Sequence, residues 1–326
     1  MEKLVIGIDF SKDTLNFCCM QGTSNRIVKE AVVSNNQSGC KEMIRMLREL
    51  FPMARVSDFL FCGENTGCYS MEVSDYLFSK KYVMWLENPL QIKLSSGIRR
   101  EKTDKVDARM IAEYAFRHQD KVKPYNPQTE SIQELRCWLK THDALKESRK
   151  SLMNLSRSMK HVPRILQKSI DELTEQLKQT NKKIKELLKR DEELAPNAKL
   201  AMSVPGISYV TAAAILVDTR NFTRFTDARK YANHTGCVPH KYSSGSSIYG
   251  RPHVSKASNR YINSLLTEGS VSLMTHNKEM REYPTRKEGK EKVQDASLTT
   301  SATRPCIDCL PSLGTIRFLT RTTNVN

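Results

Sequence analysis

Three short apolar runs open the chain and constrain its fold more than any other feature: KLVIGIDF (3–10), LNFCCMQG (15–22) and RIVKEAVVS (26–34). Only short polar breaks separate them, so they predict a three-stranded meander. SGCKEMIRMLRELF (38–51) follows, with Met43, Ile44, Met46, Leu47, Leu50 and Phe51 at helical spacing. DFLFCGEN (58–65) reads as a buried strand, 70–80 as a helix, YVMWLEN (82–88) as a fifth strand and 104–117 as a helix. The order β-β-β-α-β-α-β-α describes an α/β layer with a mixed sheet.

Acidic residues punctuate these elements. Asp9 ends the first strand and Glu64 lies at the end of the fourth, in CGENTG. In an α/β layer two such strand ends can be neighbours at one sheet edge. Asp104 and Asp107, three apart in KTDKVDARM, share one helix face that can pack across that edge. Each acid alone has an ordinary role: a turn cap for Asp9, a loop acid for Glu64, a helix cap for Asp104. Four converging carboxylates would repel strongly unless cations neutralised them. Oxygen ligands without histidine or thiolate suit magnesium or manganese, and two such ions about 4 Å apart serve phosphodiester chemistry. Arg99, Arg100, Lys102 and Lys105 around the pair are then candidate phosphate holders rather than ion-pair partners.

Charge points the same way. Lys and Arg number 52 against 36 Asp and Glu, a net +16, which favours a polyanionic partner such as nucleic acid. The nine cysteines form no disulfide framework; Cys306 and Cys309 make a CxxC without the second pair that zinc needs. No apolar run approaches the roughly 20 residues of a bilayer span. MEKLVIGIDF lacks the order of a signal peptide, so a cytoplasmic, nucleoid-associated protein without a membrane partner is expected.

Pro124 and Pro127 mark a break. Ile132, Leu135, Leu139 and Leu145 begin a long helix, and Pro163 interrupts the pattern after it. Leu166, Ile170, Leu173, Leu177, Ile184 and Leu187 then alternate 4 and 3 apart, with Thr180 filling one slot, up to Pro196, which is expected to end the segment. Two long helices packed within the chain give this heptad as readily as a coiled coil between chains; a coiled coil that supports oligomerisation is favoured. The expected domains are 1–125, 126–196 (coiled-coil linker), 197–290 (mostly helical) and an irregular 291–326.

Two stretches of the third domain carry chemistry. SVPGISYVTAAAILVD (203–218) places a Pro-Gly turn before an Ala-rich helix, in the manner of a helix–hairpin–helix whose amides, at Gly206, hold a DNA phosphate. The alternative is a plain helix start capped by Ser208 or Thr211. KYSSGSSIYG (241–250) is either a flexible Ser/Gly loop or a phosphate site, since Lys241, Arg251, Lys256 and Arg260 flank it. His240 and His253 lie near, but no carboxylate at a suitable position completes a triad.

GIDFSKDT, ENTGCY and KTDKVDARMIAEY resemble the motifs of the DEDD transposases of bacterial insertion sequences, the insertion sequence one-ten family. The resemblance runs to about residue 290. It implies a ribonuclease H-like first domain similar to the Holliday-junction resolvase RuvC, and the strand order above is also that fold's order. Matched motif by motif, the four family acids fall on Asp9, Glu64, Asp104 and Asp107, with Mg2+ or Mn2+ as cofactor. The family's nucleophilic serine, directly before a glycine, falls on Ser244, with Ser243 its neighbour. The implied activity is DNA cleavage and strand exchange through a covalent serine–DNA intermediate, the acids of one protomer meeting the serine of another. Implied partners are element-end and target DNA, a structured guide RNA from the element and further copies of the chain, as dimer or tetramer.

Past the Arg-Glu-Tyr segment the family continues with an apolar helix. Here REYPTRKEGKEK leads into a Thr/Ser/Pro-rich tail that reads as a frameshifted end. The two alternatives kept beside a transposase are a metal-dependent junction-resolving nuclease and an inactive nucleic-acid-binding remnant.

Overall fold

The computed structural model describes residues 3–21, 26–65, 67–97, 103–225, 227–238, 240–244, 248–255 and 257–276. Two compact units divide at Pro127 and Gln128. Arg99, Arg100, Lys102, Lys256 and the tail from 277 lie outside the described residues, as do the side chains of Lys241, Ser243, Ser244 and Arg251.

In the first unit β1 (Leu4–Phe10), β2 (Thr14–Gln21) and β3 (Arg26–Ser34) form the expected meander. Helix α1 (Gln37–Leu50) leads to β4 (Phe59–Glu64), and α2 (Cys68–Ser79) leads to β5 (Val83–Glu87). The sheet order is β3-β2-β1-β4-β5. β1–β2 and β2–β3 pair antiparallel, whereas β1–β4 and β4–β5 pair parallel. A meander followed by parallel strands in this order is the ribonuclease H-like arrangement.

Strand alternation sorts the core into two faces. Leu4, Ile6, Ile8, Phe17 and Phe61 pack under α1 and α2 through Met43, Leu47, Val73 and Leu77. Val5, Leu60, Cys62 and Trp85, on the other face, meet Ile111, Tyr114 and Ala115 of α4 (Asp104–Arg117). A helix that the sequence did not announce, α3 (Pro89–Ser95), contributes Ile92 to that layer. It is short and shows no amphipathic period; Pro89 in its first turn and the Asn88 side chain, accepting from the Leu90 amide at 2.9 Å, define its start.

The second unit packs around one helical core. α5 (Glu130–Ser158) and α6 (Arg164–Arg190) lie against each other. Ile132, Leu135, Leu139, Ile184 and Leu187 share a cluster with residues of α7 (Leu194–Met202), α8 (Tyr209–Thr219) and α10 (Arg260–His276). The heptad is thus covered within the chain over its C-terminal half, with Thr180 buried in its slot and bonded to the Gln176 carbonyl at 2.8 Å. Pro196 does not end the long helix. Helix α6 stops at Arg190, and Pro196 sits in the first turn of α7, where no intrahelical donor is needed. The serine-rich stretch forms an antiparallel hairpin, β6 (His240–Ser244) with β7 (Ile248–His253), after α9 (Ala228–Thr235).

Candidate active site

The parallel register runs Leu4↔Phe59 through Ile8↔Gly63, so the next residues, Asp9 near the end of β1 and Glu64 at the end of β4, lie side by side. Asp9 follows Val5 and Gly7 on the α4 face, and Glu64 follows Leu60 and Cys62 on it. Both side chains are partly exposed.

Helix α4 lies across that face. Near its start Lys105 pairs with Glu30 of β3 at 3.1 Å, and Arg109 forms a two-armed ion pair with the same carboxylate. Ala108 and Ala112 in its middle pack on Cys18 and Met20. Gly7 of β1 lies directly beneath, where a Cβ would strike the Ala112 nitrogen and the Ala108 carbonyl. At its far end Tyr114 packs on Trp85, ring centroids 5.4 Å apart, and its hydroxyl donates to Glu87 at 3.3 Å. Burial, and then the Glu87 charge, push the Tyr114 phenol up to about 12, which keeps it a donor. Asp104 and Asp107 occupy the first turn, behind a Thr103 cap that accepts from the Val106 amide at 3.3 Å. Thr103, not Asp104, is therefore the N-cap.

Among the described residues, no three His, Cys, Asp or Glu side chains are gathered into an ion-holding set. The strand pair and the helix pair share a face without closing on one another. In donor type the set fits a hard divalent cation, since all four are carboxylates and two end adjacent strands. Lys105, expected to hold phosphate, is held by Glu30.

A third carboxylate was missed at this edge. Glu87 pairs with Glu64 across the parallel register and accepts from the Asn88 amide at 2.7 Å as well as from Tyr114. WLEN at the end of β5 repeats the strand-then-acid pattern of β1 and β4, which is the signal that could have found it.

In the second unit Gly206 adopts φ +87° in the turn between α7 and α8, and Ser208 caps α8 by accepting from the Thr211 amide at 3.2 Å. Pro205 and Gly206 are exposed, while the Gly206 carbonyl lies against Gly269 of α10. Ser244 is the last residue of β6, opposite Ile248, with Ser243 opposite Tyr249. Arg260 begins α10, exposed. A polar cluster that the sequence did not announce centres on Asp218, at the end of α8. Asp218 meets His234 at 3.1 Å and accepts from Asn259 at 3.1 Å and from Arg224 at 3.4 Å. Asn259 follows β7, so this cluster ties α8 and α9 to the chain leaving the hairpin.

Two family models match. One, described as a transposase of the DEDD type named for IS110, covers residues 6–159; the other, the IS116/IS110/IS902 transposase family, covers 198–284. The chain belongs to the DEDD transposase family of insertion sequences. Among relatives of this transposase family, the transposase for insertion sequence element IS1111A of Coxiella burnetii is 29% identical over 211 residues, 55% of this chain and 57% of that protein. The insertion element IS110 43.6 kDa protein of Streptomyces coelicolor is 29% identical over 106 residues, 32% of this chain and 26% of it. The chain thus spans about half the length, or less, of these curated relatives. Among solved structures, Thermus thermophilus RuvC in complex with a Holliday junction substrate overlaps 38% of the chain at 16% identity with a TM-score of 0.27, too slight an overlap to bear on function. No helix among the described residues is long and apolar enough to cross a membrane.

Proposed function

We propose that this chain cleaves and rejoins DNA strands as the transposase of a mobile element, with divalent cations and a serine nucleophile. The observation that carries this is the placement of Asp9 and Glu64 on adjacent strands, each one residue past the last β1–β4 pair, under the helix whose first turn bears Asp104 and Asp107, in a chain matched by both transposase models. Asp9, Glu64, Asp104 and Asp107 would hold Mg2+ or Mn2+. When bound, the ions neutralise charge developing on the phosphate and on the departing oxygen.

Ser244 Oγ, its proton lost to a base, forms a bond to phosphorus as the 3′ oxygen of the cut strand leaves and takes up a proton. Attack by a new 3′ hydroxyl reverses the bond and frees the serine. The net charge of +16, with Arg260 exposed and the Gly206 turn open to solvent, supports DNA contact through the backbone phosphates. Guidance by an element-encoded structured RNA, and assembly into a dimer or tetramer, belong to the same proposal through the family.

The test is recombination of a supercoiled plasmid carrying the element junction. Ser244→Ala is expected to abolish it together with a protease-sensitive protein–DNA adduct, and Ser243→Ala to retain both. Cut junctions with no attached protein would favour the junction-resolving nuclease instead.

A further inference from the structure

Two asparagines stand where β3 gives way to α1, and they do different work. Asn36 caps α1, its Oδ1 accepting from the Gly39 amide at 2.9 Å. Asn35 instead reaches across the sheet edge. Its Nδ2 donates to the Ser11 carbonyl at 2.6 Å and to the Tyr69 carbonyl at 2.9 Å. Both partners are main-chain acceptors, so only the nitrogen of the amide can face them. The Asn35 backbone amide also donates, to the Asp13 carbonyl at 2.9 Å. The Oδ1 is buried with no hydrogen-bond partner among the described residues, so the nitrogen alone holds the side chain in place.

The two carbonyls belong to the segments that follow the strand-end acids. Ser11 lies two residues past Asp9, in the turn closed by its amide donating to the Thr14 carbonyl at 3.0 Å. Tyr69 lies five residues past Glu64, in the first turn of α2, and Gly67 between them adopts φ +76° with nothing within 4 Å of the position of a Cβ among the described residues. Pairing of β1 with β4 fixes the strands up to Ile8 and Gly63. Beyond that register, the Asn35 amide joins the two connecting segments to each other.

We propose that Asn35 is a positioning residue that sets the separation of the Asp9 and Glu64 carboxylates for a divalent cation. It touches no reacting atom and acts through Ser11 and Tyr69. The proposal rests on the metal role given to Asp9 and Glu64 above. Coordination by carboxylate oxygens needs placement within about 0.5 Å, which a loose turn on either side would not hold.

Manganese binding to the full chain, followed by the electron paramagnetic resonance of free Mn(II), tests this without any turnover. Asn35→Ala is expected to weaken binding roughly tenfold, the lower end of what outer partners of metal ligands contribute. Asn35→Leu, close in volume but without the donor, should do the same and carries the test if the alanine variant fails to fold. Asn36→Ala, which removes the helix cap, should lower the unfolding temperature and leave manganese affinity at the wild-type value. Asp9→Asn should abolish binding. If Asp9→Asn loses manganese while both Asn35 variants bind it as wild type does, the positioning role is overturned. If the wild-type chain holds no manganese, or Asp9→Asn binds as well as it does, the metal role of the acids fails and takes the positioning role with it.

Discussion

Gly7 of β1 and Ala112 of α4 approach so closely that no side chain fits between them. The contact brings the helix that carries Asp104 and Asp107 down onto the strand that carries Asp9 near its end. Small residues on both sides, Gly7 below and Ala108 and Ala112 above, make the approach possible.

Gly7→Ala should therefore lift or tilt α4. Overpacking of this kind costs about 1–3 kcal/mol, because backbone atoms must move to admit the methyl group. Chemical denaturation should show that loss, and DNA cleavage should fall further than the lost stability explains, since the helix acids move with the backbone.

Asp104→Asn separates chemistry from folding. Asp104 is exposed and Thr103 supplies the cap, so thermal unfolding should stay near wild type. Cleavage should be lost, and should be lost equally when EDTA removes divalent cations from the wild-type chain. Cleavage that survives EDTA would remove the metal from the mechanism.

Glu30 gives a pH signature. Hydrogen bonding from Arg109, and from Lys105 beside it, holds its carboxyl below the ordinary glutamate range despite partial burial. A folded value below the unfolded one adds stability that is complete above the ordinary glutamate pKa. That stability is lost as the pH falls through the lowered folded value. Glu30→Gln should reduce stability at pH 7 and flatten the acid limb of the stability curve. Urea unfolding at a series of pH values checks both.

In the second unit, Asp218→Ala leaves Asn259, Arg224 and His234 without their common acceptor. A loss of about 1–3 kcal/mol is expected from the uncompensated donors. The consequence should reach the hairpin, because Asn259 also donates its amide to the His234 carbonyl at 2.7 Å. Hydrogen exchange should show faster opening at 240–253 in the variant.

Leu135→Ala tests whether α5 shares the core of the C-terminal helices. Leu135 is fully buried in a cluster that includes Ala212, Ile262 and Leu266, and a cavity there costs about 2–5 kcal/mol. Denaturation should remain a single transition for residues 128–276. A separate early transition confined to α5 and α6 would show that they stand apart as an independent linker.

By itself the sequence determined the order of elements in the first unit apart from the short α3, because apolar runs of period two and faces of period 3.6 are local properties. It also marked Asp9, Glu64, Asp104 and Asp107, since acids stand out where an apolar strand or a helix cap meets them. Tertiary structure decided what those patterns left degenerate. A heptad is the same whether its partner helix lies in the same chain or another, and only packing showed α5 covering α6. Lys105 and Arg109 bear charge that suits phosphate or carboxylate alike, and their meeting with Glu30 depends on β3 coming under α4. The Asn35 amide carries no local signature, and the WLEN pattern marks Glu87 as a strand-end acid without saying which strand it meets. Strand pairing and loop closure bring them to the acid edge from distant parts of the chain, and no period within the sequence encodes that proximity.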